Sequence, residues 1–182
     1  MNEKIVAARG VTKAFEAGRH QVWALRGVDL EVQPGEFLAL VGPSGSGKTT
    51  LLNLVGALDV PTGGELTVLG QPIASLSKHD RAHLRLTSLG FVFQAYNLVP
   101  VLTAVENVEF VLELQGVGGR RHARAIEVFN DLGLGELADR RTHELSGGQQ
   151  QRVAVARAVA TRPRSSWPTN RPRTSTARTP RR

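Results

Sequence analysis

The chain has 182 residues, enough to enclose a hydrophobic core, and it contains no cysteine, which excludes disulfides and thiolate metal sites. Its formal charge of +7 arises in residues 161–182, which contain seven Arg and no acidic residue, whereas residues 1–160 are neutral overall. No apolar run approaches the about 20 residues needed to cross a bilayer, and the N-terminus does not resemble a signal peptide.

Alternating apolar and polar residues over positions 3–33 predict the strands of a small antiparallel sheet. Gln33, Pro34 and Gly35 then form a predicted turn. The apolar residues 36–41 follow this turn, and we interpret them as a buried strand.

A glycine-rich run comes next and fits the pattern G-x-x-x-x-G-K-[ST]. It reads Gly42, Pro43, Ser44, Gly45, Ser46, Gly47, Lys48, Thr49 and Thr50, and a predicted helix begins at Lys48 and extends to Leu58. A strand, a glycine-rich loop and a helix in this order form a phosphate cradle, because backbone N–H groups and the helix N-terminus point at the anion. Lys48 is expected to reach the β- and γ-phosphates, and the Thr49 hydroxyl to complete a Mg²⁺ shell. The alternative is a glycine-rich turn without a ligand.

The elements that follow alternate between sheet and helix. We predict a turn at 61–64, a strand at 65–69, a helix capped by Ser77 and extending to Leu86, and a strand at 89–93 that ends at Gln94. From Thr103 the apolar period becomes helical, so residues about 95–145 are interpreted as a helical subdomain. Ser146 is the predicted N-cap of a last helix over 147–161.

Residues 165–182 have a different composition from the rest of the chain. They alternate Pro with Arg, Ser and Thr, and Trp167 is their one aromatic residue. Such a segment buries too little to offset its ordering entropy, so we predict an Arg/Pro-rich disordered tail there.

A second motif lies at the start of the last helix, and we call it the signature segment: Leu145, Ser146, Gly147, Gly148 and Gln149. A phosphate loop alone fits kinases, GTPases, helicases and many ATPases. Followed by L-S-G-G-Q, it resembles the ABC-type ATPases over residues 1 to about 164. The stretches 91–100 and 102–108 most resemble the lipoprotein-releasing and macrolide-export ATPases.

This resemblance implies an α/β fold of the P-loop NTPase class, with an antiparallel β-subdomain and an inserted helical subdomain. It also implies roles for single residues. Phe15 would stack on adenine, the alternative being a core phenylalanine. Gln94 would contact Mg²⁺ and the attacking water, the alternative being a glutamine that only ends a strand.

The signature segment would contact the γ-phosphate of ATP held by a second, equivalent subunit. A serine N-cap and two glycines at a helix start expose free N–H donors, which suits an anion. The alternative is a helix cap with no ligand. The five histidines show no metal spacing.

The resemblance further implies the ATP-binding subunit of an exporter, with ATP and Mg²⁺ as ligands. Its partners would be an integral membrane permease and a second ATPase subunit, most simply a copy of itself. It would be cytoplasmic and held at the inner face of the membrane through the permease. Nucleic acid is not expected, because the basic excess lies outside the predicted fold. The contrary interpretation, an ABC protein that binds nucleic acid through its Arg tail, predicts binding that falls steeply with salt.

A complete family member continues from the last helix into an apolar strand ending in Asp-Glu, then a loop with Asp and a strand with a sensor histidine. None of these follows Arg164, so the incomplete nucleotide-binding domain is assigned to residues 1–164, without its C-terminal core strands. The general base and a metal-supporting carboxylate are missing, which makes ATPase activity uncertain and turnover very weak. A non-catalytic module that binds ATP and competes for the dimer position is the second interpretation.

The tail itself indicates a frameshift near Arg164, either genuine in the gene or a sequencing error. Back-translated with suitable codons and read one nucleotide earlier from the last base of the Ser165 codon, residues 165–179 become V-L-A-D-E-P-T-A-N-L-D-S-A-N-A. The first two bases of each codon are largely fixed, and they fit across this whole stretch. The alternative is a functional basic tail. The nucleotide sequence of codons 160–182 distinguishes the two.

Overall fold

Four strands form the larger of two sheets. A computed structural model describes residues 4–18 and 20–161, and the backbone of 165–168. β1 (Val6–Ala17) pairs antiparallel with β2 (His20–Val32) on one side and with β3 (Gly63–Val68) on the other. β4 (Gln71–Pro72) extends β3, which gives the order β2-β1-β3-β4. The antiparallel sheet predicted for residues 3–33 is confirmed.

A β-bulge in β1 changes which side chains point into the protein. The register with β2 shifts between Ala8 and Val11. Buried positions therefore run Val6, Ala8, Val11 and Lys13 instead of keeping one even spacing. An extra residue in one strand reverses the alternation beyond it. This places Lys13 on the inner side of the sheet.

The sheet packs with two helices around the first hydrophobic core. α1 (Lys48–Val55) contributes Leu51, Leu54 and Val55. α2 (Lys78–Ser88) contributes Leu84, and its predicted cap is confirmed, because Ser77 Oγ accepts from Asp80 N at 3.1 Å. α1 is shorter than predicted, because its C-cap at Gly56 ends it.

Three helices form a second core. α3 (Ala104–Leu114), α4 (Arg121–Asp131) and α5 (Gly147–Ala160) surround the fully buried Phe129. Thr103 caps α3 in a capping box with Glu106. Short 3₁₀ helices connect these elements at Ile73–Ser75, Gly118–Arg120, Gly135–Leu137 and Thr142–Glu144. The helical subdomain expected at about 95–145 thus shares its core with α5.

Residues 36–41 differ from the prediction of a buried strand. Neither sheet described here includes them. Leu38 and Leu40 pack partly against the first core, whereas Phe37 is 74% exposed and Val41 is 92% exposed. A buried parallel strand needs neighbours on both sides and cover on both faces. In the described part of the chain this segment has cover on one face only.

The second sheet has two strands, and Leu89 of one of them packs in the first core. β5 (Leu89–Val92) pairs in parallel with β6 (Ser165–Pro168), in a register from Leu89 opposite Ser165 to Val92 opposite Pro168. These four residues belong to the stretch 165–182 for which the sequence predicts disorder. Hydrogen bonds between strands use backbone groups alone, so the edge of β5 can pair with a segment whose side chains do not favour a strand. The rest of the predicted tail lies outside the described residues.

Among the described residues, no helix has the length and apolar character that a membrane span requires.

Candidate functional site

The phosphate loop, residues 42–47, precedes α1 and leaves its N-terminus open. Gly47 is the N-cap in a left-handed conformation, with φ 86°. No side chain caps α1, and its first turn contains no acidic residue. The first N–H groups of a helix require acceptors from outside the helix. Without an internal cap, the start of α1 is suited to an anionic ligand.

Lys48 spans the phosphate loop. Its Nζ donates to the carbonyl oxygens of Gly42 at 2.8 Å and Pro43 at 2.7 Å, and to Ser46 Oγ at 3.4 Å. These acceptors are neutral and exposed, so a phosphate oxygen entering the loop can replace them with a stronger, charge-assisted bond. The ammonium is therefore held inside the phosphate loop, beside the uncapped start of α1.

The remaining residues of the run lie around this centre. Residues 42–46 and Thr49 are exposed, whereas Gly47, Lys48 and Thr50 are half-buried. Thr49 thus offers its hydroxyl at the helix start.

Gly47 also ties the loop to the sheet. A Cβ at this position would lie 2.6 Å from the Ala24 carbonyl oxygen and 2.7 Å from Leu25 Cδ2. No side chain fits into that contact. The phosphate loop is consequently pressed against β2, and β2 pairs with the strand that carries Phe15.

Phe15 lies on β1 with 45% of its surface exposed, which distinguishes it from a core phenylalanine. Lys13, two residues earlier, pairs with Leu25 across the sheet, and Leu25 contacts the phosphate loop. The sheet therefore brings the Phe15 ring to the same end of the fold as Lys48. Such a partly exposed ring offers a stacking surface for a planar base.

Gln94 follows β5 in an exposed turn. Two strained residues come directly after it: Tyr96 has φ 58° and Asn97 has φ 49°, both in the left-handed region. Arg157 of α5 holds them, because its guanidinium donates to the Tyr96 carbonyl at 2.8 Å and to the Asn97 carbonyl at 2.6 Å. The loop that begins at Gln94 is thus attached to the helix that begins at the signature segment.

The signature segment caps α5. Ser146 Oγ accepts from Gln149 N at 3.3 Å, and Gln149 Oε1 accepts from Ser146 N at 2.8 Å, which forms a capping box. The Gln149 side-chain oxygen is therefore engaged within the helix. Leu145 is 5% exposed and packs in the second core, so it can reach an anion only through its backbone.

Gly147 and Gly148 have no internal reason to be glycine. Neither has a positive φ, a Cβ at Gly148 would meet nothing within 4 Å, and one at Gly147 would come no closer than 3.8 Å to Tyr96 Oη. Glycine in a helix costs about 0.5–1 kcal/mol relative to alanine. The open backbone here accordingly suits close approach by a group from outside this chain.

Metal ligands are sparse. The described residues contain no group of three or more His, Cys, Asp or Glu side chains arranged to hold a metal ion. Thr49 and Gln94 supply neutral oxygens, which Mg²⁺ accepts together with phosphate oxygens and water. These two residues therefore fit a Mg²⁺ ion that arrives with a nucleotide, although they do not form a metal site without one.

Two contacts were not predicted from the sequence. The contact of Arg157 with the Tyr96 and Asn97 carbonyls could have been suspected, since Arg157 interrupts the apolar end of α5 between Ala156 and Ala158. The inward position of Lys13 could not, because it depends on the β-bulge.

Comparisons with known proteins agree with this geometry. A family model described as ABC transporter matches residues 25–165. The macrolide export ATP-binding/permease protein MacB of Marinobacter nauticus is 46% identical over 85% of this chain and 24% of its own length. The pyoverdine export ATP-binding/permease protein PvdT of Pseudomonas syringae pv. tomato is 46% identical over 87% of this chain and 24% of its own length. This chain thus spans about a quarter of either exporter.

Two further relatives are nearer in length. An uncharacterized ABC transporter ATP-binding protein of Thermotoga maritima is 46% identical over 88% of this chain and 69% of its own. The solved dimer of the ATP-binding cassette MJ0796, bound to ADP and Pi after hydrolysis, superposes with a TM-score of 0.80. It is 42% identical over 87% of this chain and 70% of its own. With this phosphate loop, this signature segment and these relatives, the chain belongs to the ABC transporter family as one of its ATP-binding domains.

Proposed function

We propose that this chain is the ATP-binding subunit of an ABC-type exporter, a class that couples ATP binding and hydrolysis to transport through a membrane permease, and that this chain is itself defective in hydrolysis. One observation carries the proposal: the uncapped start of α1 and the ammonium of Lys48 converge on the phosphate loop. The names of the MacB and PvdT relatives, which join ATP-binding and permease parts, support the exporter class.

ATP would bind along the end of the sheet. The N–H groups of residues 42–47 and Lys48 would hold its phosphates, and the Phe15 ring would support adenine. Thr49 and Gln94 would complete the coordination of Mg²⁺, which neutralises charge on the phosphates when it is bound.

A second copy of the chain would complete the site. The exposed Ser146, Gly147 and Gly148 would cover the phosphates held by the partner, using the N–H groups at the start of α5. The dimeric MJ0796 relative supports this arrangement. The permease would hold the dimer at the cytoplasmic face of the membrane. We expect no nucleic-acid partner, because residues 1–160 carry balanced charge.

Turnover by the chain as written should be very weak. Residues 161–182 contain no Asp or Glu, so the segment directly after α5 supplies neither a general base nor a metal-supporting carboxylate. A missing general base typically costs about 10²–10⁴-fold in rate. This favours the second candidate, a non-catalytic module that binds ATP and competes for the dimer position. Binding without measurable turnover distinguishes it from an active ATPase.

The binding proposal is tested by Lys48→Ala. We expect ATP affinity to fall about 10–100-fold, because a charge-assisted hydrogen bond contributes about 1.5–3 kcal/mol. Lys78→Ala, at an exposed lysine that starts α2, removes the same charge away from the loop and should leave affinity unchanged. Titration calorimetry measures both, with thermal melts to check folding. Unchanged affinity in a folded Lys48→Ala variant would refute ATP binding at this loop.

A further inference from the structure

Lys13 is a buried lysine that the phosphate loop and the signature segment leave unexplained. It is 9% exposed, on the inner side of β1. Its Nζ lies 2.7 Å from Asp59 Oδ1 and donates to the Val60 carbonyl oxygen at 2.8 Å. A buried ammonium is costly unless it is paired and hydrogen-bonded, so these contacts fix its position.

The same ammonium lies over Phe15. Its Nζ is 5.2 Å from the ring centroid, within the range of a cation–π interaction. Phe15 itself is 45% exposed, and among the described residues Lys13 is the cation that lies over its ring. The ring therefore lies against a cation that is itself held in place.

Asp59 connects this cation to the helix that follows the phosphate loop. The Asp59 N–H donates to the Asn53 carbonyl oxygen of α1 at 3.3 Å, and the Leu58 N–H donates to the same oxygen at 2.9 Å. Asp59 Oδ1 also accepts from Val60 N at 2.7 Å. A rigid path thus runs from α1, which starts at Lys48, through Asp59 and Lys13 to the aromatic ring.

We propose that Lys13 is a positioning residue for the nucleobase. Held by Asp59, it fixes the Phe15 ring at a set distance from the phosphate loop, so that base and phosphates bind together. The proposal rests on the proposed function, in which ATP occupies the loop and its adenine stacks on Phe15. It predicts that Lys13 contributes to the affinity for the base and not to the affinity for the phosphates.

The test compares ATP with inorganic tripolyphosphate, which has no base, as Mg²⁺ complexes in titration calorimetry. Lys13→Met should weaken ATP binding about 5–20-fold, the scale of combined cation–π and stacking interactions. Tripolyphosphate affinity should change less than about twofold. Lys13→Arg, which keeps the charge, should retain most of the ATP affinity, and Phe15→Ala should give the same selective loss as Lys13→Met.

Other outcomes separate the two proposals. Equal loss of both ligands on Lys13→Met, or no loss of ATP while Phe15→Ala is selective, overturns the role of Lys13. Unchanged ATP affinity in Phe15→Ala overturns adenine stacking, and with it this inference. If Lys13→Met does not fold, Asp59→Asn replaces it, because that variant removes the charge that holds Lys13. Its expected effect is the same selective loss of ATP, and equal loss of both ligands again contradicts the inference.

Discussion

At the scale of single residues, two glycines of the phosphate loop are required for different reasons. Gly47 combines φ 86° with close contact to the Ala24 carbonyl oxygen, a rigid backbone atom. Gly45 has φ 81° and open space around its missing Cβ. A side chain at Gly45 would therefore meet only backbone strain, whereas at Gly47 it would also displace β2 from the loop.

Gly47→Ala should consequently destabilise the chain more than Gly45→Ala. We expect a loss of about 1–2 kcal/mol in unfolding free energy from the left-handed backbone in either variant. Gly47→Ala should add about 1–3 kcal/mol for overpacking. Chemical denaturation of both variants measures the difference. Equal destabilisation would show that the loop does not lie against β2 as described.

At the scale of elements, α5 connects the signature segment with the loop that begins at Gln94. Its first turn is the signature segment, and near its end Arg157 holds the loop that begins at Gln94. Burial lowers the pKa of Arg157, because desolvation disfavours the charged guanidinium. Its hydrogen bonds to two carbonyl oxygens offset part of this desolvation. A movement of α5 would therefore be transmitted to Tyr96 and Asn97, whose left-handed conformations store strain.

Gly148→Ala tests whether the start of α5 is an external contact. Because no atom lies within 4 Å of the added Cβ, the substitution should raise unfolding free energy by about 0.5–1 kcal/mol or leave it unchanged. The affinity of the monomer for ATP should stay the same. ATP-dependent dimerisation, measured by analytical ultracentrifugation, should be reduced. Normal dimerisation would exclude Gly148 from the interface.

At the scale of the whole molecule, the larger sheet and the helical core are well packed, whereas residues 36–41 belong to no sheet of the described residues. Phe37 and Val41 are exposed where the sequence predicts a buried strand. β6 occupies the edge of β5, although it contains Pro168, which cannot donate to a ladder. With suitable codons, the alternative frame would read V-L-A, an apolar strand, at positions 166–168, and D-E would follow directly. We therefore expect the chain as written to be destabilised and prone to aggregation.

Restoring that frame should restore activity. A chain with V-L-A-D-E-P-T-A-N-L-D-S-A-N at positions 166–179 should hydrolyse ATP about 10²–10⁴-fold faster than the chain as written. The matched control has glutamine at position 170 in place of the restored glutamate, and it should bind ATP with little turnover. Phosphate release measures both. Equal rates for the restored chain and its control would exclude the frameshift explanation.

Local features of the fold followed from the sequence. The glycine-rich run and the caps at Ser77 and Ser146 depend on residues within a few positions of each other. Glycine conformational freedom and side-chain caps set the backbone conformation locally, so these features can be predicted without knowing the rest of the fold. The signature segment and the phosphate loop were recognisable for the same reason.

The tertiary structure decided what depends on distant partners. Whether residues 36–41 form a strand depends on neighbours elsewhere in the chain. Among the described residues they belong to no sheet, whereas β5 pairs with β6. Lys13 points inward because a bulge reverses the alternation of β1, which brings its ammonium to Asp59 and over the Phe15 ring. The contact of Arg157 with Tyr96 and Asn97 joins residues about 60 positions apart. Such contacts form when distant segments pack together, so local residue patterns do not reveal them.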